Sequence, residues 1–551
     1  MTKPISLLLA GVMLVGCSRR LARDAEAAAE SITAEAILDH IRVLASDEFE
    51  GRLPGTRGED LTVDYVIKQF QEMGLKPGAS GGSWTQAVPL VGYRGEPSAE
   101  LVAAGRKIAL KYPDDYVAVA PRLEPLTAVE DSEIVFVGYG AVAPEYGWDD
   151  FKGVDVRGKT LLMLINDPAV PDPVDPARLD ERLFKGRTMT YYGRWTYKYE
   201  IAAQRGAAAA IIVHETEPAG YPWGVVQNSW GGENFAVAGE RGERVAVQSW
   251  LTLEKTKELL GASGLDFEAL KRAAARSDFR PVRLPARATF RIRNTLRQLA
   301  SRNVIARLEG AEKPEECVLY TAHWDHLGRD NSLEGDQIFN GAVDNASGVA
   351  ILIEIARAFA RLEPKPSRTV LFAALTAEEQ GLLGAKYLAE HPVCPLEKTL
   401  VNINIDGMNP WGRTRDFVVV GLGNTTLDEL AEGLARRQGR VLRPDAEPEK
   451  GFFYRADHFE FAKKGVPAFY SHAGTDFLDK PPGYGEQKRK EFTERDYHKP
   501  SDEIKADWDL AGAVEDARLL MLLGFEVSRA EQWPQWKPGT EFRARREAIL
   551  R

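Results

Sequence analysis

The chain has only eight histidines, and some of them stand beside acidic residues in places where chemistry is plausible. His323-Trp-Asp325-His326 follows directly on the apolar run Val318–Ala322, and Asp344-Asn345 precedes a helical stretch. Glu378-Glu379 follows the run Thr369–Leu375, Asp406 closes the run Leu400–Ile405, and Tyr497-His498 lies in a late loop. Imidazole nitrogens and carboxylate oxygens together suit zinc. Asp344, Glu378, Glu379 and Asp406 would repel one another if gathered without cations to compensate them. Two metal ions sharing one bridging carboxylate meet that need. Taken singly, each group has a plainer explanation as a cap, a solvated turn or a surface residue. Their recurrence at successive strand ends, in a histidine-poor chain, favours metal binding.

Those groups need a scaffold that brings distant segments to one edge. From Asn303 onward, continuous apolar runs alternate with helical patterns, which predicts a mixed, mostly parallel sheet flanked by helices, an α/β fold. Open sheets of this kind place ligands at the carboxyl ends of their strands. Ser347–Leu362 is predicted as a helix capped by Asn345 or Ser347. Apolar positions at helical spacing predict further helices across Ser31–Arg52 and Glu59–Met73. Between about 96 and 291 the character changes to short β-rich runs, a Pro/Asp loop and the aromatic cluster Tyr191–Tyr199, expected to be core. This stretch reads as an inserted, β-rich α+β domain.

The set His323-x-Asp325, Gly341-Ala-Val-Asp344-Asn-Ala-Ser-Gly348, Glu378-Glu379-x-Gly-Leu-x-Gly384, Asp406-Gly and Tyr497-His498 resembles a zinc exopeptidase family. That family includes secreted bacterial aminopeptidases, glutamate carboxypeptidase and the metal-free transferrin receptor. The motifs occur in family order on both sides of the insertion, which itself resembles, more weakly, a protease-associated domain. The resemblance implies two Zn²⁺ per chain. Asp344 would bridge them, His323 and Asp406 would complete one site, and Glu379 and His498 the other. It further implies Glu378 as general base, Tyr497 as an oxyanion donor, and Asp325 as the outer partner holding His323 in its ligating tautomer. Asp457 and His458 would wall the substrate pocket. His326 is expected on the same side without an assigned role, His472 as following the strand pattern Pro467–Ser471 and lining the pocket, and His214 and His391 as structural.

The function implied is a di-zinc metallo-aminopeptidase acting on peptides with a free N-terminus, whose ammonium group a carboxylate-rich site would attract. A carboxypeptidase of the same family is an alternative, with Lys499 as the one cation beside a ligand. A catalytically silent receptor is another, though every ligand position here keeps a competent residue. A cyclase acting on N-terminal glutamine resembles the same fold but usually works with one metal. Net charge, 71 − 81 = −10, gives no electrostatic case for nucleic-acid binding. Gly153–Thr160 matches the spacing of a phosphate-binding loop but leads into an apolar strand pattern rather than a helix. Gly78–Gly82 matches a nucleophile elbow inside a Pro/Gly loop with no helix behind it.

Met1–Gly16 reads as a signal peptide of the lipoprotein type, its apolar core being shorter than the roughly 20 residues of a membrane span. Cys17 would carry the lipid, and the mature protein would be periplasmic and anchored, with Ser18 pointing to the outer membrane. A tether (17–30), a first catalytic segment (31–95), the insertion (96–291), a second catalytic segment (292–530) and a C-terminal tail (531–551) complete the expected organisation. Of the three cysteines, Cys317 and Cys394 could pair in an oxidising compartment, but they are expected as two separate buried thiols, since nothing in the sequence shows that they approach.

Overall fold

The structure is a computed structural model that describes residues 23–239 and 244–551. The signal peptide and Cys17 lie outside the described residues. Among the described residues, no helix is long and apolar enough to cross a membrane. The chain divides into two compact units. One comprises the chain up to Val88 with Ala300–Asp445 and Ala456–Arg551, and the other Pro89–Leu299 with Ala446–Arg455. The second unit is therefore wider than the expected 96–291, and it takes back ten residues of the later chain.

The first unit is built on a mixed sheet whose strands run in the order Val441–Pro444, Asp416–Val419, Ala468–His472, Thr399–Asn404, Lys313–His323, Arg368–Leu375 and the end of Val282–Leu308. Lys313–His323 pairs in parallel with Arg368–Leu375 and with Thr399–Asn404, and Thr399–Asn404 pairs in parallel with Ala468–His472. Antiparallel pairing appears where Val304–Leu308 meets the 368–375 strand and where 416–419 meets 468–472. The strands 368–375 and 399–404 are buried throughout. Their unbroken apolar runs follow from having both faces covered.

Helices Ala34–Leu44, Ser347–Ala360 and Ala511–Arg529 share one apolar core with the sheet, through Ile37, Ile41, Ile351, Ile355, Leu520 and Leu523. Their 3.6-residue stripes are what place them there. His458–Lys463 packs with Leu383–Glu390 and the 468–472 strand. The segment 531–551 is no loose tail. Arg546 is buried and donates to Leu396 O at 2.9 Å and Thr399 O at 3.0 Å, and Trp536 Nε1 donates to Gly465 O at 3.0 Å.

Cys317 and Cys394 are joined in a disulfide, their Cα atoms 6.6 Å apart. The expectation of separate thiols is corrected. The parallel register sets Cys317 opposite Thr399, and the turn before that strand carries Cys394 alongside. Pairing across 77 residues leaves no local signature.

In the second unit, Leu126–Phe136, Thr160–Leu164, Ala209–His214 and Val247–Thr252 pair in parallel, with Tyr116–Val119 antiparallel at the edge. Tyr197 and Tyr199 are buried in its core, with Tyr191, Tyr192 and Trp195 packed against it. Gly153–Thr160 runs from a turn into the 160–164 strand, so no helix N-terminus faces it. Ala446–Arg455 is fastened by backbone contacts. Met189 N donates to Pro448 O and Asn166 Nδ2 to Glu449 O, both at 2.9 Å, and Arg455 Nη2 donates to Ala219 O at 2.7 Å.

Candidate metal centre

Parallel pairing explains why these residues meet. His323 ends its strand opposite Leu375, and Thr321 faces Asn404. The turns after the three strands, which carry His323, Glu378-Glu379 and Asp406, therefore emerge at one edge. Asp344 enters from the turn that opens helix Ser347–Ala360, and His498 from the loop after Tyr484–Arg495.

Asn345 organises that turn. Its Oδ1 accepts from the amides of Gly348 and Gly407, both at 2.9 Å, and its Nδ2 donates to Ile405 O at 3.0 Å. The helix-start turn and the Asp406 loop are thus tied through one side chain. Of the two expected caps, Asn345 binds the helix amide, and Ser347 Oγ donates back to Val343 O at 2.7 Å. Gly341 has φ 52°, and a Cβ there would lie 2.2 Å from Asp344 O and 2.6 Å from the His326 ring. Only glycine fits.

At the centre, Asp344 divides its two oxygens between two imidazoles. Oδ1 lies 3.3 Å from His323 Nε2 and Oδ2 lies 3.3 Å from His498 Nε2. On the first side, Asp406 Oδ1 is also 3.3 Å from His323 Nε2. On the second, Glu379 Oε2 is 3.1 Å from His498 Nε2. Glu378 Oε2 stands back, 4.0 Å from His323 Nε2. The Tyr497 ring lies against that of His498, centroids 4.0 Å apart and the planes tilted by 33°.

Two findings differ from the expected roles. His323 Nδ1 lies 3.1 Å from the backbone oxygen of Asp325 and 3.8 Å from its carboxylate Oδ1. The ring is therefore oriented by the main chain of Asp325, because its carboxylate turns away to accept the amide of Glu378 at 3.0 Å. The other concerns His326, which was given no role. It is fully buried, with Nδ1 2.5 Å from Glu379 Oε1. Its place two residues beyond Trp324 in the same motif was the available signal. Asp457 is buried and, among the described residues, has no hydrogen-bond partner on either carboxylate oxygen, and the His458 ring centroid lies 4.7 Å from that of Tyr470. His472 Nε2 pairs with the Tyr470 hydroxyl at 2.8 Å.

The electrostatics state the same problem as the donors. Burial lifts Glu378 well above the carboxylate range, and Asp406 and Glu379 lift it further, against His323. Burial also raises Asp406 and Asp457. Burial alone would depress His498, but Glu379 and Asp344 outweigh it and push the imidazole up to about 10. His323 rises for the same reason, next to Glu378, Asp344 and Asp406. Carboxyls crowded and buried in this way must either hold protons or be compensated by cations, and they converge on ring lone pairs that a proton and a divalent cation would both seek.

The donor set fits such cations. His323, Asp344 and Asp406 form one group and His326, Asp344 and Glu379 a second, each with ligand atoms within 4.8 Å of one another. Asp344 belongs to both. Its two oxygens face opposite sides, as a bridging carboxylate requires, and nitrogen and oxygen donors of this kind suit zinc.

Residues 303–522 match peptidase family M28. A probable zinc metalloprotease from Pyrenophora teres f. teres is 45% identical over 87 residues, 16% of this chain and 18% of that protein. Aminopeptidase NAALADL1 from Mus musculus is 35% identical over 120 residues, 21% of this chain and 15% of that protein. The matched stretches thus span less than a fifth of these relatives' own length. Among solved structures, an aminopeptidase from Aneurinibacillus sp. strain AM-1 aligns over 93% of this chain and 97% of its own, with a TM-score of 0.52 at 19% identity. That likeness concerns the fold. Residues 303–522 form a domain of peptidase family M28, the zinc exopeptidase family.

Proposed function

We propose that this chain is a di-zinc aminopeptidase that removes residues from the free N-termini of peptides. The observation that carries the reading is the shared Asp344, with one oxygen 3.3 Å from each of two imidazoles on opposite sides. His323 and Asp406 would hold one ion and Glu379 and His498 the other, and His326 steadies Glu379. When bound, the two ions supply Lewis acidity toward the scissile carbonyl.

The remaining work belongs to the chain. Glu378, set back from the ligands and raised by burial, takes a proton from the attacking water and returns it to the leaving amine, a contribution of about 10²–10⁴-fold. The Tyr497 hydroxyl would donate to the developing oxyanion. Asp457 adds a buried carboxyl, without hydrogen-bond partners among the described residues, whose ionised form a substrate ammonium would favour. A carboxypeptidase needs a fixed cation for the opposite terminus. Lys499 donates to Glu494 O, and the Arg52 guanidinium is engaged by backbone carbonyls. Both observations favour the aminopeptidase.

Export with a lipid anchor at Cys17 is part of the proposal. The Cys317–Cys394 bond supports it, since such bonds persist in oxidising compartments. The unit of Pro89–Leu299 with Ala446–Arg455 is taken as protease-associated. Metal analysis combined with release assays on free, N-acetylated and C-amidated peptides tests the function. Two metal ions per chain and loss of cleavage on acetylation are expected. Loss on amidation instead would reassign the enzyme as a carboxypeptidase.

A further inference from the structure

Asp344 can bridge two ions only if its loop is held where both imidazoles can reach it. The loop's own sequence, Asn340-Gly341-Ala-Val-Asp344, is buried but offers only small side chains, with Ala342 in the apolar core. Its main chain is held by two buried side chains, a guanidinium and a carboxyl, far apart in sequence.

Arg52 is 1% exposed. Its Nε donates to Trp324 O at 2.8 Å, Nη1 to Leu44 O and Asn340 O, both at 2.7 Å, and Nη2 to Gly341 O at 3.0 Å. One guanidinium thus joins the backbone beside His323 to the backbone leading into Asp344. Asp502, fully buried, grips the same loop through its amides. Its Oδ1 accepts from Val343 N and its Oδ2 from Asp344 N, both at 3.0 Å, while its backbone oxygen accepts from Ala342 N at 2.9 Å. The guanidinium takes the carbonyls on one side of the loop and the carboxyl takes the amides on the other.

Backbone conformation shows what holding Arg52 there requires. Glu50, Gly51 and Arg52 all adopt left-handed φ, 48°, 65° and 52°. A Cβ on Gly51 would lie 2.3 Å from Gly328 O and 2.6 Å from Phe339 O. Such conformations in non-glycine residues persist where the surroundings over-determine them. Here the turn drives a planar, five-donor group among backbone oxygens, a geometry that lysine cannot reproduce. Arg52 also lies outside the stretch 303–522 that matches the peptidase family.

We infer that Arg52 and Asp502 are paired positioning residues for the metal centre, clamping the 340–344 loop from its carbonyl and amide sides so that Asp344 is presented to both ions. The inference rests on the metal-centre reading above. Outer partners of this kind typically command about 10–100-fold in metal affinity.

The test uses full-length Arg52→Lys and Asp502→Asn, the second being nearly isosteric and keeping one acceptor oxygen. Zinc affinity is read by chelator competition, the site's geometry by the visible spectrum of the cobalt-substituted protein, and folding by the melting of the metal-free protein. Zinc affinity is expected to fall at least tenfold, with an altered cobalt spectrum, in variants whose metal-free melting stays cooperative. Should Arg52→Lys fail to fold, Asp502→Asn decides alone. Wild-type zinc affinity and cobalt spectrum in a folded variant would overturn the inference, even if its melting temperature had dropped. A wild-type chain that binds no metal would overturn the metal-centre reading instead, and this inference with it.

Discussion

The backbone amide of Glu378 donates to Asp325 Oδ1 at 3.0 Å. The carboxylate that follows His323 by two residues therefore positions the turn of the proposed base, and through it the neighbouring proposed ligand Glu379. Asp325 is fully buried, and burial raises its carboxyl to about 7. Its removal should loosen one side of the site without dismantling the sheet. For Asp325→Ala, zinc affinity is expected to drop about 10–100-fold, measured by chelator competition. Unchanged affinity would leave the contact a local packing detail.

Adjacent side chains in an extended turn point in different directions, and Glu378 and Glu379 show it. Glu379 Oε2 reaches His498 Nε2 at 3.1 Å, whereas Glu378 comes no nearer than 4.0 Å to His323 Nε2. Their replacement should separate metal binding from turnover. Glu378→Ala is expected to keep two metal ions per chain while turnover falls at least ~100-fold. Peptide release assays on metal-assayed protein check both halves, and undiminished turnover would remove Glu378 from its role.

Asp344 should behave differently, because it serves both halves of the site. Asp344→Ala is expected to lose metal as well as activity, and elemental analysis after dialysis reads the loss directly. A variant that still carried two ions per chain would contradict a bridging carboxylate.

His323, Glu378-Glu379 and Asp406 were legible because they end or follow strands with unbroken apolar runs, and parallel pairing carries such strand ends to the same edge. What stayed hidden is held together by contacts without a period. Arg52 sits in a polar turn, Glu50-Gly51-Arg52, and its partners are backbone carbonyls, which any sequence supplies. Asp502 likewise binds amides. The exchange of Asp325's carboxylate for its backbone oxygen beside His323 turns on a difference of 3.8 against 3.1 Å, below anything residue type encodes. The return of Ala446–Arg455 to the second unit also depends on backbone hydrogen bonds. Cross-chain contacts of this sort leave no spacing to read.

The disulfide ties the strand Lys313–His323 to the turn that leads into Thr399–Asn404, strands whose far ends lead to His323 and Asp406. It closes a loop of 77 residues, and bonds of this kind typically contribute about 2–4 kcal/mol by restricting the unfolded chain. The Cys317→Ser/Cys394→Ser double variant is expected to lose stability on that scale in urea unfolding. Wild-type protein in strong reductant should lose a similar amount. Equal midpoints for the variant and the oxidised wild type would deny the bond any stabilising role.

His214 makes the second unit sensitive to acid. It is 4% exposed, flanked by the rings of Tyr221, Trp223 and Trp250, and its Nε2 lies 3.1 Å from Tyr221 O. Burial lowers its pKa from 6.5 to about 4, only partly offset by the backbone oxygen. Because the folded form resists protonation, its contribution is fully present above the unfolded value near 6.5. That contribution is lost as pH falls toward 4, when the unfolded chain binds the extra proton. At 1.36 kcal/mol per pKa unit the loss approaches about 3 kcal/mol. His214→Phe, which keeps an aromatic ring in the site, should flatten the slope of unfolding free energy between pH 6.5 and 4. Denaturant unfolding of both proteins across that range measures it, and parallel slopes would assign the acid sensitivity to other groups.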